Sequence, residues 1–484
     1  MKAEPLFDLI NSLTMSEKRF FKIFSQRHVI GETNQYLLMF DFIDKSESIS
    51  NEILLQQPFV KNLSAEKNYL YRLILKSLNA YYADFSTKMK VQNLIISAEI
   101  LAYKGLESQA LKTLEKTAKI AEEAELFTHL LTVKQTEFEI LSKINNYDIA
   151  LDKIKEFENV LKKQVGFTAI QEQTTELYKV RQSIGSIRSK EDISQLEKVV
   201  KQNTKQGLPS KKSNLFLNSL NIAYLNATKD YKKELVYLEK VVDLYESNQF
   251  LIEYSVKGYI SSIYNTANTY RNLKNYKKAL FFIDKLDNLK TNKLISTSKS
   301  ISAYLFYLSN NLRLYIHILN NEFKLANIAY ERIKNEYHLH CDNINKSVVY
   351  EHLILIIRIK IEQSEFKKAL QLSNIIINDT SFKKREDILT YVRLINLLIH
   401  FELKNDFTIE YLSASAANYL KRKKRLYKTE KEVINFITKF TSGNKKHLDK
   451  VNENLKILKD DHYEKSMFNL FDFQKWVEDK LTKY

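Results

Sequence analysis

A six-residue pattern that recurs through the middle of the chain constrains its fold more than any other feature. The pattern is a polar residue, an aromatic, two further residues, an alanine and an apolar residue. Asn146-Tyr-Asp-Ile-Ala-Leu151, Asn275-Tyr-Lys-Lys-Ala-Leu280 and Glu365-Phe-Lys-Lys-Ala-Leu370 carry it in full. Glu322-Phe-Lys-Leu-Ala-Asn327 keeps the aromatic and the alanine, while Asp230-Tyr-Lys-Lys-Glu-Leu235 and Asp406-Phe-Thr-Ile-Glu-Tyr411 keep the aromatic and lose the alanine. Gly105-Leu-Glu-Ser-Gln-Ala-Leu111 is offset by one residue, and Glu191-Asp-Ile-Ser-Gln-Leu196 is a weak match. The aromatics Tyr147, Tyr231, Tyr276, Phe323, Phe366 and Phe407 stand 84, 45, 47, 43 and 41 residues apart, so the first gap is about two units. Apolar residues at helical spacing flank each copy, as in Tyr254 to Leu273 and Phe281 to Lys290. A helical period in the forties is the mark of an α-solenoid.

Each copy has a mechanical reading. The aromatic opens the second helix of a hairpin and can fold back over the first. The alanine one turn later lets the two helices cross closely. The chain has only 7 glycines and 3 prolines, too few for the turns of a β protein, and 44% hydrophobic residues, enough to fill a core. The expectation is an all-α protein with about eight degenerate helix pairs over 86–420, flanked by helical caps at 1–85 and 421–484.

The flanks are read separately. Thr14-Met-Ser-Glu17 matches a capping box opening a helix from Ser16 to Arg27. Gly31 is expected to end that segment, and Tyr36 to Asp44 to form a further short helix. Ser64-Ala-Glu-Lys67 is a second helix start, leading into Asn68 to Phe85. Beyond the array, helices are expected near Lys431 to Phe440 and from Lys446 to Lys459, with a break at Ser442-Gly-Asn444. Met467 to Val477, with the single tryptophan, is expected to cover the last repeat, because an exposed apolar end needs a cap.

The unit from Tyr254 to Leu289 resembles a tetratricopeptide repeat: Ala267, Tyr270, Tyr276, Ala279 and Ile283 fall where that family places its packing residues. Thr266 and Ala267 replace the usual Leu-Gly pair, Leu286 stands at the late alanine, and the units exceed 34 residues. The resemblance implies a right-handed superhelix whose first helices line a concave groove that binds a peptide or helix. Carried over position by position, the groove candidates are Ser261, Tyr264, Asn268, Arg271 and Asn272 from one unit, Asn311 and Tyr315 from the next, and Glu351, Ile354, Arg358 and Glu362 from a third. Arg358 stands within an apolar run, so it either pairs internally with Glu362 one turn on or faces a ligand.

The formal charge of +17 comes mainly from lysine; arginine, which usually supplies base and phosphate forks, is scarce. The densest basic run contains Lys421, Arg422, Lys423, Lys424, Arg425 and Lys428. It reads either as a phosphate-contacting patch or as a helix end where cations suit the dipole. No two glycines share a short loop, which argues against a P-loop or a dinucleotide fingerprint. His338-Leu-His-Cys341 lacks a second half for a zinc site. One cysteine excludes an internal disulfide framework. The most apolar run, Leu353 to Ile361, is too short for a membrane span and holds two cations. In a bacterial host the chain reads as cytoplasmic. No cofactor, metal or catalytic residue is expected. The leading expectation is a non-catalytic scaffold or adaptor binding a protein or peptide in its groove. The alternative is a nucleic-acid-contacting regulator with a repeat sensor. Oligomeric state is left open.

Overall fold

The computed structural model describes residues 5–26, 34–46, 50–185, 187–202, 210–382, 385–440 and 445–482. Among these there is no strand, and 83% of the chain is helix. The expected Arg27 terminus, the stop at Gly31 and the break at Ser442-Gly-Asn444 lie outside the described residues. None of the described helices is long and apolar enough to cross a membrane. The chain divides into two compact units, Met1–Gln164 and Val165–Tyr484. This division falls within the stretch expected to be one array.

The first unit contains α1 (Pro5–Ser12), α2 (Met15–Gln26), α3 (Gln35–Asp44), α4 (Asn51–Leu55), α5 (Leu63–Tyr81), α6 (Thr87–Tyr103), α7 (Glu107–Glu123), α8 (Phe127–Lys143) and the first part of α9 (Tyr147–Ile184). Helices α1 to α5 enclose a core of their own, built on Leu6, Ile10, Phe21, Phe40, Leu70 and Ile74. The capping box at Thr14 forms: the Thr14 N–H donates to Glu17 Oε2 at 2.6 Å and the Glu17 N–H donates to Thr14 Oγ1 at 3.3 Å. Helix α5 is capped by Asn62 rather than Ser64; the Asn62 side chain accepts from the Ala65 N–H.

The second unit contains α10 (Lys190–Val200), α11 (Lys211–Ala227), α12 (Tyr231–Glu246), α13 (Gln249–Tyr254), α14 (Val256–Asn272), α15 (Tyr276–Asn288), α16 (Lys293–Ser296), α17 (Lys299–Leu319), α18 (Phe323–His340), α19 (Lys346–Glu362), α20 (Phe366–Asn378), α21 (Glu386–Glu402), α22 (Asp406–Arg422), α23 (Lys428–Phe440), α24 (Lys445–Asp460) and α25 (Phe473–Thr482). The short helices α13 and α16 lengthen the two widest single-unit spacings, from Tyr231 to Tyr276 and from Tyr276 to Phe323.

The hairpin turns share one backbone device. A residue just before the six-residue pattern, or two before it in the last copy, adopts a left-handed conformation: Asn145, Lys229, Lys274, Asn321, Ser364 and Lys404 all have φ between 55° and 60°. The next N–H then reaches five residues back, as in Asn275 N to Tyr270 O (2.9 Å), Glu322 N to His317 O (2.8 Å) and Glu365 N to Lys360 O (2.9 Å). This is a Schellman closure, built mostly without glycine. The polar residue of the pattern ends one helix and can cap the next: Asn275 accepts from the Lys278 N–H at 3.2 Å and Asp230 from the Lys233 N–H at 3.3 Å. The pattern's alanines, Ala110, Ala150, Ala279, Ala326 and Ala369, are buried where the helices cross.

Three expectations need correction. No turn separates the second helix at Tyr147 from the helix that follows, because α9 runs unbroken for 38 residues. The weak copy at Glu191 is instead the first turn of α10, closed by a capping box between Ser189 and Asp192. Phe407 does not fold back over its neighbour; the turn closes one residue earlier, so Phe407 is fully exposed and Ile409 falls at the buried alanine position.

The two ends of the second unit meet. Arg188, just before α10, donates from Nη1 and Nη2 to both oxygens of Glu430 at 2.9 and 3.1 Å, and from Nη2 to Glu464. All three side chains are buried. The Arg188 guanidinium also lies 4.5 Å from the centre of the Tyr427 ring. Arg425 donates to the Ile184 carbonyl, and Lys229 to the His462 carbonyl. The C-terminal segment therefore does more than cover the last hairpin: it ties the end of the unit to its beginning.

Candidate binding cleft

The groove candidates occupy one face of each first helix. On α14, Ser261, Tyr264, Asn268 and Arg271 recur at helical spacing, while Tyr259, Ile260, Ile263, Ala267 and Tyr270 are buried behind them. On α17 the corresponding face carries Tyr304, Asn311 and Tyr315, and on α19 Glu351, Ile354, Arg358 and Glu362.

Five candidate polar and aromatic residues, Tyr264, Arg271, Asn311, Tyr315 and Glu351, line a single cavity of about 180 Å³ together with Leu312, Ile354, Leu355 and Leu470. The Arg271 guanidinium stacks 4.1 Å from the centre of the Tyr315 ring. Its Nη2 donates to Asn272 Oδ1 at 2.8 Å, so Asn272 orients the arginine and does not line the cavity itself. The Arg271 Nε is buried with no partner. Burial raises the hydroxyls of Tyr264 and Tyr315 above the ordinary phenol range, so both remain neutral donors.

Asn311 is held from behind. Its Oδ1 meets His352 Nδ1, and its Nδ2 donates to the Val348 carbonyl at 3.4 Å. Burial pushes His352 down to about 3, which keeps the imidazole neutral. Glu351 accepts from Arg385 Nη1 at 3.1 Å, and Arg385 forks onto Asp387 at 2.9 and 2.8 Å. Burial raises the Glu351 carboxyl despite that arginine. The cavity thus opposes a guanidinium and a carboxylate, with an aliphatic end at Leu312, Ile354, Leu355 and Leu470.

Ser261 and Asn268 line an adjoining cavity of about 310 Å³ with Tyr178, Arg181, Asn226 and Glu234. The Ser261 and Tyr304 hydroxyls meet at 2.9 Å. Arg181 donates to Asn226 Oδ1 at 3.3 Å, and Asn226 Nδ2 donates to Glu234 Oε1 at 3.1 Å. Glu234 stands at the alanine position of its hairpin and is 1% exposed. Burial outweighs its contacts with Asn226 and the Thr269 hydroxyl and raises the carboxyl to about 7. The loss of alanine at this position was the sequence signal for Glu234. Tyr304, seven residues before Asn311, was also within reach of the periodicity. Nothing in the sequence pointed to Leu470 or Arg385.

Arg358 and Glu362 line a third cavity, of about 500 Å³, with Phe323, Glu402, Phe471, Asp472 and Trp476 among its walls. Arg358 bonds Glu362 at 2.9 Å, as the internal-pair reading expected. It also donates from Nε to the Leu470 carbonyl at 3.0 Å and sits 4.4 and 5.2 Å from the Phe323 and Phe471 ring centres. Its role here is to hold the C-terminal segment.

In the basic run, Lys421, Arg422, Lys423 and Lys424 close α22 and the turn after it. Lys423 pairs with Glu386 at 2.5 Å, Arg422 lies against Tyr419, and Arg425 is used in tying the unit's ends together. The Lys428 backbone N–H donates to Glu464 at 3.3 Å. Cys341 opens a 3₁₀ turn after α18, and the His340 ring lies tilted against Phe306, with ring centres 4.5 Å apart. Among the described residues no group of three or more His, Cys, Asp or Glu side chains is placed to hold a metal ion.

No protein-family model matches the chain, and neither a curated protein nor a solved structure shows significant similarity to it.

Proposed function

We propose that the second unit is a tetratricopeptide-like, non-catalytic binding module that takes an extended peptide segment of a partner protein in the cleft between α14, α17 and α19. The observation that supports this reading is the meeting of Tyr264, Arg271, Asn311, Tyr315 and Glu351 in one cavity. Their chemistry suits a peptide. Neutral phenols and an amide match backbone N–H and C=O groups, and the aliphatic end accepts one apolar side chain. Arginine and tyrosine are also the residue types that most often dominate binding energy. The basic run supports the nucleic-acid alternative less well, since Lys423 and Arg425 are committed to internal contacts.

Selection of a displayed random-peptide library on the full chain tests the proposal. An enriched consensus is expected, with affinity reduced at least about tenfold by Tyr264→Ala or Tyr315→Ala. No enrichment, or a consensus bound equally well by both variants, refutes it.

A further inference from the structure

Helix α9 carries an apolar seam that is exposed among the described residues. Its first part buries Ala150 and Val160 and meets α8 through charged side chains. An ion cluster reinforces that contact: Lys134 meets Glu137 at 3.0 Å and Glu156 at 2.6 Å, and Lys153 meets Glu156 at 3.1 Å. About 100° around the helix from this packed face lie Tyr147, Leu151, Ile154 and Leu161. They are 59%, 58%, 37% and 42% exposed. Their spacing is the alternation of four and three residues that marks a coiled-coil seam, with Glu158 at the one remaining position.

The architecture explains why this face is bare. The second helices α7, α12, α15 and α20 each pack against the first helix of the following hairpin, respectively α8, α14, α17 and α21. Helix α9 makes no turn after its first half and runs unbroken to Ile184. The residues that would have folded back as the covering helix are its own extension.

We propose that this seam is covered by the same seam of a second copy of the chain, the two helices running antiparallel. The flanking charges favour that partner and that direction. Asp148 and Lys162 stand at the two ends of the seam, at the heptad position that borders it on the solvent side. An antiparallel copy places Asp148 beside Lys162 of the second copy, twice by symmetry, and Leu151 against Leu161. It also brings Glu158 next to Ile154 and Lys155 of the second copy, where it offsets the like charges of the two Lys155 side chains that meet at the two-fold axis. A parallel copy would instead set Glu158 against Glu158 within the seam itself. The seam from Tyr147 to Leu161 is about 21 Å long. A contact of that length buries on the order of 1,000 Å², at the low end of specific interfaces, so a weak dimer in the micromolar range is expected.

Sedimentation equilibrium of the full chain from about 1 to about 100 μM tests this. The average mass is expected to rise from monomer towards dimer over that range. Leu151→Glu combined with Leu161→Glu is expected to hold the protein monomeric throughout, with an unchanged helical spectrum because both side chains are exposed. Asp148→Lys is expected to weaken association and Lys162→Asp, added to it, to restore it. In a Cys341→Ser background, the pair Leu151→Cys and Leu161→Cys is expected to cross-link between copies on oxidation, whereas Leu151→Cys alone is not. A wild-type protein that stays monomeric at about 100 μM, or a dimer indifferent to the glutamate pair, overturns the proposal. Equal cross-linking by Leu151→Cys alone overturns the antiparallel arrangement.

Discussion

Replacing Glu234 by glutamine is expected to stabilise the second unit at alkaline pH and to leave it nearly unchanged at acid pH. The Glu234 carboxyl titrates at about 7 in the fold against an ordinary value of 4.5, chiefly because burial disfavours its charged form. A group whose pKa rises on folding favours the native state while protonated, and that advantage is lost as pH rises from the unfolded to the folded value. Below about 4.5 the carboxyl is neutral in both states and costs nothing. Above about 8 the native state must carry a buried charge, a penalty of about 3 kcal/mol. Glutamine avoids the penalty and keeps the local bonds. Its carbonyl can accept from Asn226 as Glu234 Oε1 does at 3.1 Å. Its amide can meet the Thr269 hydroxyl, which lies beside the Glu234 carboxyl in the native protein. Thermal unfolding of the two proteins at pH 4.5 to 8.5 is the assay. The variant's advantage should grow with pH to on the order of 5 °C. Melting curves that shift in parallel at every pH would refute the claim that Glu234 is a buried carboxyl whose ionisation opposes folding.

Two further outcomes follow from the backbone and from the clasp. Lys274→Gly and Ser364→Gly, at residues with φ of 60° and 59°, are each expected to stabilise by about 1 kcal/mol in chemical denaturation, because a side chain disfavours the left-handed conformation that these turns require. Arg188→Met is expected to destabilise the second unit by about 3–5 kcal/mol in the same assay, since it leaves Glu430 and Glu464 buried without their cation.

The parts of this protein that were legible in the sequence are those set by local periodicity. The pattern around Ala279 marked hairpin turns, and the first-helix spacing placed Tyr264, Arg271, Asn311, Tyr315 and Glu351 on faces that do converge. The Arg358–Glu362 pair, one helical turn apart, was equally readable. The left-handed residue that reverses the chain at each turn escaped notice because it is lysine, asparagine or serine where glycine would have announced it. The continuity of α9 was missed for a related reason. A regular spacing argued for a turn, but only Gly166 interrupts the good helix formers there, and one glycine costs a helix about 1 kcal/mol. The contacts of Arg188 with Glu430 and Glu464, and of Arg358 with Leu470, join residues 112 to 276 positions apart. No periodic signal encodes such pairs, so a single sequence is silent about them.

The Arg188 clasp also bears on how the second unit can assemble. In a linear stack each hairpin touches only its neighbours, so order can start anywhere, spread along the chain, and fray from either end. Joining Ile184 and Arg188 to the stretch from Arg425 to Glu464 adds contacts of very long sequence separation, and these require closure of nearly the whole unit's length of chain. The hairpins can form early and locally, but the clasp can close only after the intervening ones have reached their native stacking. Shortening the chain from its C-terminal end therefore does not peel away one hairpin at a time. It releases both ends at once, and the last step of folding becomes the first step of unfolding.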